Sequence, residues 1–411
     1  MKDNPFNSKI FIDKWNKHFN KSKTIHRFGF ISQLSFVRHT FFPVYINVGK
    51  NLTKGVSYIV SSTIEEKLKN KVFLIYDVPD YFNVSAVETS SSLQQIEVEQ
   101  YEGFLVNTQK YSDIESYRKS KFGKSSLYKI RKYQRRLESC FDIKYNMYFG
   151  EISREKYDLI FSTFKNLLER RFSNKQVYNN NLDQKEWDFY YDLIYDMVLE
   201  KKASIFVICD RNIPIAGSIN YHSDEIAIGA ITAFDTDYSK FYLGFTIINK
   251  LLEWSIDNKL KIFDFSKGRF GYKTQWSDEA YSFKYHILYN RKSWVGAFIA
   301  FMIIHYFRFK AFLRSKNMNE VFNRILFTLK IKNKKTFQEY KVVEYKENIE
   351  NKDLIDVNIN TETFSFLKRL VYDFLYSSSE KIEDIKVYRM INQEKTYLIK
   401  GRVNAQKVSV A

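Results

Sequence analysis

The sequence predicts an α+β fold, with a mixed sheet flanked by helices and a small α+β appendage at the C-terminal end. Three observations lead there. Between residues 157 and 288 the apolar pattern runs helix, helix, three strands, helix, two strands. That order suits one sheet layer with helices on its faces. Apolar residues make up 45% of the 411 positions, enough for the cores of two or three domains. Prolines number 4 and glycines 13, which favours continuous elements joined by short turns.

Residues 1–110 read as mixed α/β. A helix is expected at 11–19. Short apolar or alternating runs at 44–48, 58–60, 72–76 and 104–106 read as strands, and Asp77-Val78-Pro79-Asp80 as a loop. Residues 112–138 form a helical segment in which Leu127, Ile130, Tyr133 and Leu137 share a face. From Arg118 to Arg136 it carries nine Lys/Arg and no acid. A strand at 141–149 precedes helices at 157–172 and 187–201. Strands 204–209 and 213–221 make a hairpin about Asp210-Arg211-Asn212, and 225–234 adds a third. The loop 235–244 leads into a helix at 245–257, followed by strands at 262–265 and 283–288. Residues 294–335 read as helical, apolar first and then basic. The appendage, 341–411, reads as strand, strand, helix and two strands, at 341–345, 354–359, 364–376, 385–390 and 396–399.

The formal charge is +18. Such a balance favours anionic partners, namely nucleic acid, a membrane surface or a phosphorylated ligand, unless it is simply a lysine-rich surface. Two cysteines, Cys140 and Cys209, exclude a disulfide framework, and no Cys/His cluster has the spacing of a metal site. Residues 1–29 are polar and lack the apolar core of a signal peptide, so a cytoplasmic protein is expected. No helix-turn-helix, RRM, OB or zinc signature is present.

Two segments can carry chemistry. The junction from loop 235–244 into a helix leaves unpaired N–H groups and a positive dipole end, which suit a diphosphate. Gly244 lets a ligand approach the backbone, and Lys240 adds charge. The plainer account is an ordinary strand-to-helix connection. The second segment holds Asp264, Lys267, Arg269, Tyr272 and Lys273. Asp264 lies between two phenylalanines, a setting that raises a carboxyl pKa toward that of a general base. Alternatively, Asp264 and Lys273 form a structural ion pair. Lys267 and Arg269 suit an anionic acceptor or a phosphate. His222 ends a hairpin strand and is a weaker candidate for contact with an acceptor.

Several of these residues fall into an ordered pattern. Ile213-Pro214-Ile215-Ala216-Gly217, Phe234-Asp235, Tyr238-Ser239, Gly244, Phe263-Asp264-Phe265, Lys267-Gly268, Tyr272-Lys273 and Trp276 follow one another. Together with the basic run Ser126–Lys132, this pattern resembles the CelD-like branch of the GNAT acyltransferase superfamily, which is related to the Fem-type peptidyltransferases. The resemblance covers about residues 105–292. It implies tandem GNAT-like halves, with a degenerate one at 1–110 and an acyltransferase domain at 111–292. It also implies an acyl-coenzyme A donor, acetyl-CoA in the first instance, with Ser239, Lys240, Leu243, Gly244 and Phe245 around its diphosphate. The acyl group would pass by direct attack to an amine or hydroxyl of a sugar, peptide or envelope precursor. Asp264, Tyr272 and Lys273 would be the catalytic groups, with Tyr272 protonating the departing thiolate, and Lys267, Arg269 and His222 would bind the acceptor. An aminoacyl-tRNA donor, as in Fem-type enzymes, is the alternative within the family. A non-catalytic basic protein that binds nucleic acid or membrane is the alternative outside it.

Residues 293–340 are expected to form a basic amphipathic helical segment. The run 294–313 is apolar but contains His305, Arg308 and Lys310, which counts against a membrane span. It suits either a buried helix or one lying on an anionic leaflet, at the inner face of the membrane.

Overall fold

The computed structural model describes residues 3–61, 68–82, 84, 92–316, 340–344, 354–391 and 393–410. Within them the expected α+β architecture is present. Twelve strands make one mixed sheet. Its path runs β1 (His26–Phe28), β2 (Ile31–Arg38), β3 (Val44–Asn47), β5 (Val72–Pro79), β12 (Glu279–Asn290), β6 (Leu93–Asn107), β11 (Ile262–Lys267), β10 (Ile226–Phe234), β9 (Ile213–His222), β8 (Ala203–Asp210) and β7 (Ile143–Tyr148). β4 (Ile59–Val60) pairs with β2 off this path.

The centre of the sheet joins the two ends of the sequence. β12 lies between β5 and β6 and pairs with both. β6 is far longer than the expected 104–106. Its first part, Gln-Gln-Ile-Glu-Val-Glu-Gln, alternates between buried and solvent-facing residues, so its polar face hides it from a search for apolar runs. β5 continues through Asp77 to Pro79, where a loop is expected. Asp77 adopts φ 65°, and the pairing of β5 with β12 shifts register there. This is a bulge, not the end of the strand.

Helices cover both faces. α1 (Lys9–Phe19) packs on α5 (Gln184–Leu199), with Lys14 held between Asp192 and Asp196. α4 (Arg154–Lys175) crosses the sheet where Gly217 meets Phe164. A Cβ there would lie 2.3 Å from the Phe164 ring, so this crossing requires glycine. α6 (Leu243–Asp257) lies on the other face, with Ile247 and Leu251 clustered with Phe263 and Phe265. The basic segment is two helices, α2 (Ile114–Lys121) and α3 (Lys124–Cys140). The break falls at Phe122, which is buried in extended conformation, and Gly123, which caps α3. A short helix, α7 (Gly271–Trp276), precedes β12.

α8 (Trp294–Ser315) packs Ala300, Ile304 and Phe307 against the sheet, where the Phe307 ring stacks on Tyr285 at 3.9 Å. The rest of the expected helical run, from 317, lies outside the described residues. The appendage is a five-stranded sheet, β13 (Tyr340–Glu344), β17 (Ala405–Val410), β16 (Thr396–Lys400), β15 (Lys386–Met390) and β14 (Leu354–Asp356). Its helix, α9 (Lys368–Ser378), docks Tyr372 against Tyr238 at 4.6 Å.

Candidate active site

β10 and β11 are parallel neighbours for three residues only, Ile226–Ile228 against Ile262–Asp264. Beyond that point β10 shifts register between Gly229 and Ile231. β11 kinks at Ser266, which adopts φ 61°. The two strands therefore splay, and β10 keeps an unpaired edge facing the gap.

The chain leaves β10 through a 3₁₀ turn, Thr236–Phe241. Arg170 of α4 pins this turn by pairing with Asp235 and Asp237. Tyr242 then takes φ 51°, ψ 49° and begins α6 without a side-chain cap. Phe245 N donates to Tyr242 O at 2.8 Å. The N–H groups of Leu243 and Gly244 have no acceptor among the described residues. They form an open helix terminus that favours an anion.

Two cavities meet at the splay. The outer one, about 310 Å³, is lined by Arg171, Phe234, Ser239, Leu243, Gly244 and Phe245, among others. The inner one, about 220 Å³, is lined by Lys54, Ser218, Asn220, Gly229, Lys267 and Lys273, among others. Thr232, Ile248 and Tyr272 line both. The Tyr272 hydroxyl has no hydrogen-bond partner among the described residues.

Gly244 is not demanded by packing. A Cβ there would make ordinary contact with the Phe234 ring, at 3.5 and 4.0 Å. Arg171 stacks its guanidinium over Phe234 at 4.1 Å and donates to Thr232 O at 3.3 Å. Its Nε is buried with no partner, and no described carboxylate pairs with it. Burial pulls its pKa below the usual guanidinium value. The outer cavity therefore has both an amide donor pair and a spare cation.

The inner cavity is built on lysines. Lys273, 4% exposed, donates to the carbonyl oxygens of Ser266 at 3.0 Å and Lys267 at 2.6 Å. Burial brings its pKa down to about 7, with Lys54 lowering it further and Asp264 acting the other way. A neutral lysine amine has two N–H groups, and the two carbonyls take both. Its lone pair is left over. Lys267 pairs with Asp77, which is fully buried and also accepts from Thr53 Oγ1 at 2.6 Å and Gln100 Nε2 at 2.7 Å.

Four expected site residues lie elsewhere. Asp264 lines neither cavity. It is fully buried and accepts from Tyr281 Oη at 2.6 Å, Tyr81 Oη at 2.9 Å and Ser266 N at 2.6 Å. Burial raises its pKa to about 6 in spite of these donors. It makes no ion pair with Lys273, whose N–H groups go to main-chain oxygens instead. Strand alternation explains the placement: Phe263 and Phe265 face α6, so Asp264 faces the other way. His222 is 3% exposed, packed against Phe149 and Trp254, with Nε2 2.7 Å from Ser204 Oγ. Burial lowers its pKa to about 3, so it is neutral. Arg269 is on the surface, paired with Glu102 at 2.8 Å. Lys240 is exposed, with its charge felt at Asp373 of α9.

The sequence gives no functional mark to Lys54 or to Asp77, and it reads Arg171, with Glu169 and Arg170, as the solvated end of an apolar helix. No group of three or more His, Cys, Asp or Glu residues placed to hold a metal ion occurs among the described residues.

The sequence profile of the acetyltransferase (GNAT) domain matches residues 124–274. That stretch contains the splay, the open helix terminus and every lining residue of both cavities except Lys54. This region is similar to a GNAT-type acetyltransferase domain. No curated protein matches the chain. Among solved structures, a conserved protein of unknown function from Bacteroides thetaiotaomicron VPI-5482 is 11% identical. The alignment covers 70% of this chain and 93% of that one, with a TM-score of 0.48. FemX is 8% identical over 66% of this chain and 90% of its own, with a TM-score of 0.44. L-PGS from Bacillus licheniformis is 10% identical over 74% and 98%, with a TM-score of 0.40. The matched residues supply β11, β10, β9, β8 and β7, one end of the large sheet, and the N-terminal strands extend that sheet on the far side of β6 and β12.

Proposed function

We propose that the protein transfers an acyl group, acetyl in the simplest case, from acyl-coenzyme A to an amine or hydroxyl of a small-molecule, glycan or peptide acceptor. The observation that supports this best is the junction of the two cavities. The donor's diphosphate would rest on the Leu243 and Gly244 amides beside Arg171, and its thioester would reach the splay at Tyr272. Ser239 and Phe245 would flank it. The unpaired edge of β10 would offer N–H groups to the thioester oxygen as negative charge develops there.

In this reading Lys273, not Asp264, is the base. Its free lone pair takes the proton from the acceptor nitrogen or oxygen as that atom attacks the carbonyl carbon. The C–S bond breaks, and Tyr272 gives its hydroxyl proton to the thiolate. Burial raises the Tyr272 pKa, so the phenol is protonated at neutral pH. Asp264 is a positioning residue.

We further propose that the enzyme works against the inner face of an anionic membrane. Trp294, Phe298, Phe301, Met302, Tyr306, Phe309 and Phe312 form an exposed stripe on α8. Arg291, Lys292, Arg308 and Lys316 flank it and are exposed. Phe41 and Phe42 are exposed near the start of α8, where Pro43 O accepts from Val72 N and Ser293 caps α8 while bonding Asn70. Arg314 donates to Gln100 O and stacks on Tyr101 at 3.7 Å. These contacts favour a helix lying along the protein over one crossing a bilayer.

Calorimetric titration of the full chain with coenzyme A and with bulk tRNA tests the donor. Binding of coenzyme A that survives 200 mM salt, with release of free thiol from acetyl-CoA, supports the proposal. Binding of tRNA but not coenzyme A replaces it with aminoacyl transfer, and binding of neither removes it.

A further inference from the structure

The inner cavity holds more positive charge than the fold neutralises. Lys54, Lys267 and Lys273 all line it. Among the described residues the one carboxylate that forms an ion pair with any of them is Asp77, and it is taken by Lys267, Thr53 and Gln100. Lys273 spends its N–H groups on main-chain oxygens. Lys54 has neither a hydrogen-bond nor an ion-pair partner among the described residues.

Such an arrangement costs free energy in the empty protein. Burial and the neighbouring Lys267 bring the Lys54 pKa down to about 8. Lys54 is half-buried, and a cation drawn partly out of water without a partner is retained against its desolvation cost only where something offsets it. Ser218 and Asn220 stand on the same wall, with Ser218 Oγ donating to Asn220 Oδ1 at 2.9 Å. The Ser218 hydroxyl thereby aims the Asn220 amide, which gives one N–H to Ser204 Oγ at 3.3 Å and keeps the other; that N–H and the Lys54 ammonium together make a receptor for an oxyanion. The same charges repel a protonated amine.

We infer that the inner cavity binds a carboxylate or phosphate group of the substrate, with Lys54 as its principal charged contact. This deepens the acyltransferase reading and rests on it for the cavity's place beside the thioester. It also gives the N-terminal strands a task. Lys54 lies between β3 and β5, and Asp77 holds Lys267 from the bulge of β5, so the anion site is assembled from both parts of the large sheet. The anion can belong to the acceptor or to a dicarboxylic acyl chain on the donor.

Calorimetry on the full chain separates these cases, using inorganic phosphate, acetyl-CoA and succinyl-CoA as probes against wild type and Lys54→Met. The substitution keeps most of the apolar stem of the side chain and removes a partnerless cation, so the melting temperature should not fall. Phosphate titrated into protein already saturated with coenzyme A should bind the wild type. It should bind Lys54→Met roughly ten- to a hundredfold more weakly, the worth of one charged hydrogen bond. If acetyl-CoA and succinyl-CoA then bind equally, the anion is on the acceptor. If succinyl-CoA binds about tenfold more tightly in wild type alone, the anion is on the acyl chain. The inference is overturned if phosphate affinity is the same in both proteins and the two thioesters bind alike. Failure of coenzyme A to bind would instead remove the donor reading. The Lys54-dependence of phosphate binding by the free protein would then still decide this one.

Discussion

Lys273 donates from Nζ to the main-chain oxygen of Ser266 at 3.0 Å, and that oxygen is in reach because Ser266 is held in a left-handed conformation, φ 61°. The conformation is fixed from behind, where the Ser266 amide donates to Asp264 Oδ1 at 2.6 Å. A carboxylate outside both cavities thus sets the position of an amine inside one.

If Lys273 is the base, activity requires its neutral form. The value of kcat/KM should rise with pH through about 7, with the slope of one proton, and then level off. Lys273→Met should lower kcat at least a hundredfold and leave coenzyme A affinity within about threefold. Stability supplies a second readout. A lysine whose pKa is depressed on folding destabilises fully below about 7, and the penalty fades as pH rises toward 10.5. Lys273→Met should therefore raise the melting temperature more at pH 6 than at pH 10. A flat pH–rate profile would remove Lys273 from the mechanism.

Asp264→Asn separates positioning from catalysis. The amide retains an oxygen for the Ser266 amide and loses the charge that raises the Lys273 pKa. The rising limb of the pH–rate profile should therefore move below 7, with activity reduced but present. The stability effect has a definite sign. A carboxyl whose pKa is raised on folding, here to about 6, costs stability as pH climbs from about 4 to 6. The variant should gain melting temperature relative to wild type at pH 8, and gain less at pH 4. Complete loss of turnover at every pH would restore Asp264 as the base.

How much of this was legible in the sequence varies with the range of the interaction. The open helix terminus at Leu243 and Gly244 follows from a local pattern, a strand, a loop and an apolar helix with a glycine in its first turn. Lys273 was picked out from its place beside Tyr272, but its two carbonyl partners depend on a positive φ at Ser266, a residue type that gives no hint of it. Asp264 reads as a base from its apolar neighbours alone, whereas strand alternation, with both flanking phenylalanines on the α6 face, puts its carboxylate on the other. Lys54 was invisible because 213 positions separate it from Lys267, and nothing local marks a lysine that faces a distant cavity. Arg171 sits one residue from Arg170, and the sequence cannot tell which of the two pins the turn and which is free.

Gly244 and Arg171 test the donor site together. Gly244→Ala places a methyl group at 3.5 Å from Phe234, so it should fold and bind coenzyme A within a few-fold of wild type. Gly244→Leu should keep the melting temperature within a few degrees yet weaken coenzyme A at least tenfold, because the larger side chain fills the outer cavity. Arg171→Leu should weaken coenzyme A by roughly ten- to a hundredfold, the loss of one charged contact. It should not destabilise the fold, since Arg171 has no carboxylate partner to strand. Unchanged affinity in both Gly244→Leu and Arg171→Leu would move the donor out of this cavity.

α8 makes the membrane reading testable apart from the chemistry. Its buried face is Gly296, Ala300, Ile304 and Phe307, and the stripe on the opposite side is free of packing duty. Phe298→Ser, Phe309→Ser and Phe312→Ser combined should thus leave the fold intact, with each ring more than half exposed, at 61%, 59% and 56%. In sedimentation with vesicles the wild type should pellet with phosphatidylglycerol and not with pure phosphatidylcholine. Raising salt to 0.5 M should release much of it, because the flanking lysines and arginines act through a screened field. The triple variant should stay in the supernatant at low salt while turning over a soluble acceptor at the wild-type rate. Wild type that ignores both kinds of vesicle would make the aromatic stripe a contact for some other surface.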